Sequence, residues 1–152
     1  MSAPASLDHA GIAQRIPHQG RMCLLDRLVQ WNEIALHCTA LSHRDPAHPL
    51  RSASGLLAPC AIEYAAQAMA LHGALVAPAA ASPSPGYLAS VRDVKFSVAR
   101  LDEVAGALQV QAERLAGDTR QILYRFVVSD ERGAALAEGR ATVVLNTPIG
   151  PS

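Results

Sequence analysis

The sequence predicts an α+β protein, an antiparallel sheet wrapped around one long central helix, and three features carry that expectation. Residues 56–81 form an alanine-rich apolar stretch broken by Glu63, Gln67 and His72 and by Pro78. Two runs with strand character precede it, and several partly alternating runs follow it. A helix that is apolar on most sides has to be covered on most sides, and strands arriving from both ends of the chain can curl over it.

The elements follow in order. Residues 1–7 carry no periodic signal and are expected to fray, while residues 8–15, His9 to Arg15, are expected to form a short helix. Ile16-Pro17-His18-Gln19-Gly20 reads as a turn, because proline fixes one dihedral and glycine permits unusual ones. Met22 to Trp31 reads as a mostly buried strand, and after an Asn32-Glu33 turn Ile34 to Leu41 reads as its hairpin partner. Ser42 to Gly55 is a loop. Pro59 is tolerated in the first helical turn, where its missing N–H costs little, so the helix is expected from Pro59 to Val76, with Pro78 ending it. Ala79 to Gly86 is a linker inside the domain. Strands are then expected over Tyr87–Phe96, bent near Arg92, and over Ala105–Leu115, Thr119–Ser129 and Ala134–Leu145. The turns at Gly117-Asp118 and Glu131-Arg132-Gly133 suggest an antiparallel meander. The organisation is an N-terminal segment 1–15, one domain over 16–146 and a tail 147–152.

Composition narrows the class. The chain has 152 residues, half of them hydrophobic and 17% charged, which is globular and not disordered. Thirteen basic and thirteen acidic residues give zero formal charge, so no whole-surface field for nucleic acid is expected, although a local basic patch is compatible with that balance. The apolar stretch is too interrupted for a membrane span. The N-terminus has neither a basic nor an apolar leader region. Cys23, Cys38 and Cys60 are odd in number with no CxxC pair, so a reduced, cytoplasmic setting is expected and no metal site.

Glu63 is the only Asp, Glu, Lys or Arg between Arg51 and Arg92. A carboxylate among apolar residues is costly unless it is paired, protonated or in use, and such groups cluster at functional sites. The competing reading is a structural carboxylate tied to a backbone N–H or an arginine. Gln67 shares the helical face of Glu63 by i, i+4 spacing, and is either a substrate-binding residue or the filler of a core gap. His9 and His43 are read as surface residues, and His37 and His72 as packing or surface positions.

Three motifs then point to a family. Ile16-Pro17-His18-Gln19-Gly20-Arg21-Met22-Cys23-Leu24-Leu25-Asp26-Arg27-Leu28 resembles the LPHRxPxLLLDRV opening of FabZ-type 3-hydroxyacyl-acyl-carrier-protein dehydratases. Ile62-Glu63-Tyr64-Ala65-Ala66-Gln67-Ala68 resembles their IEAMAQA helix. Arg92-Asp93-Val94-Lys95-Phe96 stands where that family has KFxRPVxPGD. The resemblance covers about residues 14–146. It implies a hot-dog fold, a dimer with a continuous sheet, and a substrate tunnel at the dimer interface.

It also implies a reaction, the loss of water from a 3-hydroxyacyl thioester. A general base removes the α-proton, and imidazole has a suitable pKa. A general acid protonates the departing hydroxyl, and a carboxyl whose pKa is raised by an apolar pocket suits that task. Glu63 is the expected acid, and the amides at the helix N-terminus could polarise the thioester carbonyl. Two histidines compete for the base. His48 stands near the place of the family's HFPG histidine, one residue further from Glu63. In the FabZ-like dehydratases of aryl-polyene type, which this chain resembles more, HFPG is not retained and the Pro-His before the first strand is, which favours His18. Arg51, Arg92, Lys95 and Arg100 are expected near the tunnel mouth, where a basic patch could steer an acidic acyl carrier protein. No metal or redox cofactor is implied, because the acyl group arrives on a phosphopantetheine arm. The expected partners are acyl carrier protein and a second hot-dog chain, the same or different. Two alternatives stay open: a hot-dog acyl-thioesterase, and a non-catalytic subunit of a heteromeric dehydratase.

Overall fold

A computed structural model describes residues 4–77 and 86–145. The linker expected at 79–86 (all but Gly86), the helix-ending Pro78 and the C-terminal tail lie outside the described residues.

The sheet has six strands in the order β1-β2-β4-β5-β6-β3, every neighbouring pair antiparallel: β1 Arg27–Trp31, β2 Ala35–Ala40, β3 Gly86–Phe96, β4 Leu108–Gly117, β5 Gln121–Ser129 and β6 Ala135–Leu145. It curls around α2, Ala61–Val76, a helix of 16 residues and about 24 Å. This is the sheet-around-helix arrangement of a hot-dog fold. Only β4, β5 and β6 form the expected meander. β3 crosses to the far edge and pairs with β6.

Three turns close the hairpins by the same device, a side-chain oxygen accepting backbone N–H groups. Asn32 accepts from Ile34 and Ala35, Asp118 from Arg120 and Gln121, and Asp130 from Arg132 and Ala134. The core lies between sheet and helix. Tyr64, Ala65, Ala68 and Leu71 of α2 are fully buried and meet Leu36, Val110, Tyr124, Phe126 and Val128 of the strands. Fully burying one such leucine is worth about 1.5–3 kcal/mol.

Three expectations need correction. The strand expected from Met22 begins only at Arg27. Gly20–Met22 is a 3-10 turn and Cys23, Leu24 and Leu25 form a buried strap, because the N–H of Leu24 is taken by a side chain of α2 and not by a strand. The segment around residues 4–7 is not frayed: Leu7 bridges to Leu28 on the outer edge of β1, and Trp31 donates its indole N–H to Pro4 O at 2.7 Å. The helix starts two residues late, with a 3-10 turn at Ala58–Cys60 before it.

The two edges differ. β1 is shielded by Leu7, whereas β3 has no outer neighbour among the described residues and is exposed at eight of its eleven positions, with Tyr87 at 59% and Phe96 at 40% exposure. A long bare edge of this kind is a template for another strand.

Candidate active site

The site is built where the strap crosses the first turns of α2. Ile12 and Ile16 sink into the core and anchor the chain ahead of Pro17. Gln19 closes the turn by donating its amide to Ala13 O and Ile16 O at 2.6 and 3.1 Å. Between these anchors stands His18. Beyond them Gln67 acts as a bracket: its Oε1 accepts the N–H of Leu24 at 2.9 Å and its Nε2 donates to Met22 O at 2.7 Å. Glu63 lies one helical turn before Gln67 and receives a longer contact from the same Nε2 at 3.4 Å. With strap and helix so fixed, His18 Nε2 stands 3.2 Å from Glu63 Oε1.

Both members of the pair are partly open, the side chains of His18 and Glu63 being 25% and 34% exposed. The carboxyl of Glu63 is held below its ordinary pKa. The hydrogen bond from His18 is the largest cause, it outweighs the opposing effect of burial, and Gln67 adds to it. The raised pKa expected for Glu63 from its apolar surroundings is therefore corrected, since its partner matters more than its desolvation. His18 Nδ1 is buried without a hydrogen-bond partner among the described residues.

Of the two candidate histidines, His18 touches Glu63. His48 is buried and turned into a different network. Its Nδ1 accepts the N–H of Leu50 at 3.0 Å, so the proton of a neutral ring sits on Nε2, which donates to Tyr64 OH at 3.0 Å. Tyr64 then donates to Ser42 Oγ at 2.8 Å, and Ser42 donates to Leu24 O at 2.9 Å. Burial lowers the pKa of His48. Both of its nitrogens are engaged by the chain itself and neither bonds Glu63; the relay fixes the carbonyl of Leu24 while Gln67 fixes the N–H.

Gln67, expected to bind substrate, is fully buried with its amide committed to Met22, Leu24 and Glu63. Arg51 and Arg100 are not free cations. Arg100 pairs with Asp102 at 2.6 Å and with Glu103 at 3.0 Å, and Arg51 approaches Asp102 at 3.4 Å. Asp102, whose side chain is 4% exposed, also accepts the N–H of Leu56 and is held well below the usual carboxylate range, first by Arg100. Arg92 and Lys95 stand exposed on β3, and neither pairs with Glu63 among the described residues. Two amides just ahead of α2 are occupied, Ala58 donating to Ala99 O and Cys60 to Leu57 O.

Sequence reasoning missed Tyr64, Ser42 and Asp102. Tyr64 had a signal, a lone hydroxyl in an apolar helix, since a buried tyrosine needs a partner. His43 was read as a surface residue and is fully buried, its Nε2–H donating to Val104 O at 3.0 Å. Among the described residues no cluster of three or more His, Cys, Asp or Glu could hold a metal, and no helix is long and apolar enough to cross a membrane.

One groove of about 530 Å³ and another of about 480 Å³ open on the side of the sheet facing away from α2. Neither is lined by His18 or Glu63. The pair instead opens beside the least covered stripe of the helix, Ala66, Ala70 and Gly73, where a Cβ added to Gly73 would meet nothing within 4 Å.

Comparison with known proteins bears on the family and the fold. A family model described as ApeP-like, ApeP dehydratase, matches residues 10–149. No curated protein sequence matches the chain. Among solved structures, the dehydratase heterocomplex ApeI:P from Xenorhabdus doucetiae is 23% identical over 90% of this chain and 91% of that one, with a TM-score of 0.80. A thioesterase from Haemophilus influenzae is 10% identical over 98% and 97% of the two chains, with a TM-score of 0.65. A mutant thioesterase from Pseudomonas aeruginosa is 12% identical over 80% and 81%, with a TM-score of 0.60. At these identities the structures establish the hot-dog fold alone.

Proposed function

The chain belongs to the ApeP-like dehydratase family, and on that premise we propose that it removes water from a 3-hydroxyacyl thioester carried on acyl carrier protein, giving the trans-2-enoyl thioester. The observation that carries the reading is the contact of His18 Nε2 with Glu63 Oε1 at 3.2 Å at the open end of an apolar helix. A base and an acid this close can serve adjacent carbons of one substrate. The pair therefore suits loss of hydrogen and hydroxyl across the Cα–Cβ bond.

The reactive pair holds one transferable proton. His18 takes the α-proton, the C–H electron pair becomes the new double bond, the C–O bond breaks, and Glu63 gives its proton to the leaving hydroxyl. A proton moving from His18 back to Glu63 resets the pair. Before substrate arrives, the hydrogen bond from His18 keeps Glu63 ionised. A substrate that enters between them removes that bond and leaves burial as the main influence, which raises the carboxyl's hold on a proton and prepares it as the acid. Gln67 is a positioning residue in this scheme: it sets the strap that carries His18 against the turn that carries Glu63.

The second component of the proposal is a partner chain. The edge of β3, which has no outer neighbour among the described residues, and the half-buried stripe along Ala66, Ala70 and Gly73 support a second hot-dog chain that extends the sheet and roofs an acyl channel. The similar dehydratase in Xenorhabdus doucetiae is a heterocomplex, which favours a different chain as that partner.

Product analysis tests the reaction. Incubation with a 3-hydroxyacyl carrier protein, alone and with a co-expressed hot-dog partner, should give a species lighter by one water with the thioester intact. Release of the free acid in place of that species identifies a thioesterase and overturns the reading.

A further inference from the structure

The pairing of β5, β6 and β3 sets three arginines side by side. Arg125 lies opposite Arg140, and Arg140 lies opposite Arg92. All three are exposed and point away from α2, since Tyr124 and Phe126 on either side of Arg125 are buried. Like charges directly opposite on neighbouring strands repel. In a chain of zero net charge such a row is not a by-product of general basicity.

Little inside the chain relieves it. Among the described residues the one ion pair in the row joins Arg140 to Asp93. Asp93 reaches it from a bulge between Arg92 and Lys95, in a left-handed conformation with φ of 54° that non-glycine residues seldom adopt. Arg125 lies in register with Glu113 but makes no ion pair with it, and Arg92 makes none among the described residues. Of the arginines expected at the tunnel mouth, Arg51 and Arg100 behave oppositely to Arg92, sharing the nearly buried Asp102.

We propose that the row Arg125–Arg140–Arg92 on the outer face of the sheet is the docking surface for an acidic helix of the carrier protein that delivers the acyl thioester. The inference rests on the dehydratase reading above and names the surface through which that partner engages. Three strands spaced by about 4.8 Å make a row about 10 Å long. Carboxylates at i, i+4 and i+7 on one helix face span about the same distance. The row runs between the two outer grooves, Arg125 lining one and Arg92 and Arg140 the other, so the surface is broad and open, as a protein face requires and a single phosphate does not.

The test compares one acyl group on two carriers. Wild type and Arg125→Glu are assayed, with the partner chain present if activity needs it, on a 3-hydroxyacyl carrier protein and on the same group as a short pantetheine thioester. The proposal predicts a rise in KM of about tenfold or more for the carrier-bound substrate at low salt, with kcat unchanged and the short thioester unaffected. Wild type should lose its advantage with the carrier-bound substrate as salt rises. An equal effect on both substrates, or on neither, overturns it. If neither substrate is turned over, the dehydratase reading fails separately. Binding of fluorescently labelled carrier protein then decides the docking surface: loss of affinity of about tenfold in Arg125→Glu sustains it, and unchanged affinity rejects it.

Discussion

At Glu63 two influences act on one proton in opposite directions. Burial favours the neutral acid and the hydrogen bond from His18 favours the carboxylate, and the hydrogen bond prevails. Removing the imidazole should reverse the balance. In His18→Ala the pKa of Glu63 is expected above its wild-type value, read by carbon-detected NMR titration of labelled glutamate; an unchanged or lower value means that His18 does not govern the carboxyl. Tyr64→Phe removes the hydroxyl that joins His48 to Ser42 and leaves buried groups unpaired, so it should cost about 1–3 kcal/mol of stability in denaturant unfolding. Glu63 was legible in the sequence as a lone charge in an apolar helix. Its partner was narrowed to two histidines, and only the strap's path decided between them. That path depends on Gln67, whose amide does at Leu24 what a neighbouring strand would otherwise do, and a side chain in this role leaves no periodic trace.

At the scale of elements, the strap and the first turns of α2 form one unit, because Gln67 joins Met22 and Leu24 to the helix. Gln67→Met keeps the volume and removes the bracket. Its expected effect is a fall in kcat with little change in KM, and an acidic limb of the pH profile moved upward, since Gln67 helps to hold the Glu63 pKa down. A loss of melting temperature with an unmoved pH profile would reduce Gln67 to a packing residue. The strands and the helix were legible because alternation, Asn and Asp turns and an uncharged run leave direct marks in sequence. β3 was found but misplaced. Its bare edge and its bulge at Asp93 belong to pairing at the far side of the sheet, which local patterns do not encode.

Across the whole molecule, His43, His48 and His72 are buried, and burial lowers the pKa of each. His72 is tied to Tyr124 OH and Asn32 O, joining the helix to β5 and the first hairpin. The unfolded chain takes up protons at these positions as pH falls through about 6.5, while the folded chain resists them. Their contribution to stability is thus complete above that pH and is lost below it, so the melting temperature should fall between pH 7.5 and pH 5; a flat profile over that range contradicts these assignments. The hot-dog architecture itself follows from the requirement that an apolar helix be covered, and one side of this helix, beside Glu63, is covered least. The account's central claim is that the His18–Glu63 pair carries out dehydration there. Its most direct test is turnover of a 3-hydroxyacyl carrier protein, by mass loss of one water, in wild type, Glu63→Gln, His18→Ala and His48→Ala, each with the partner chain. The account predicts losses of about 10²–10⁴-fold for the first two variants, with His48→Ala losing stability and retaining turnover per folded molecule. Full activity in Glu63→Gln or His18→Ala, or loss of chemistry confined to His48→Ala, would contradict it.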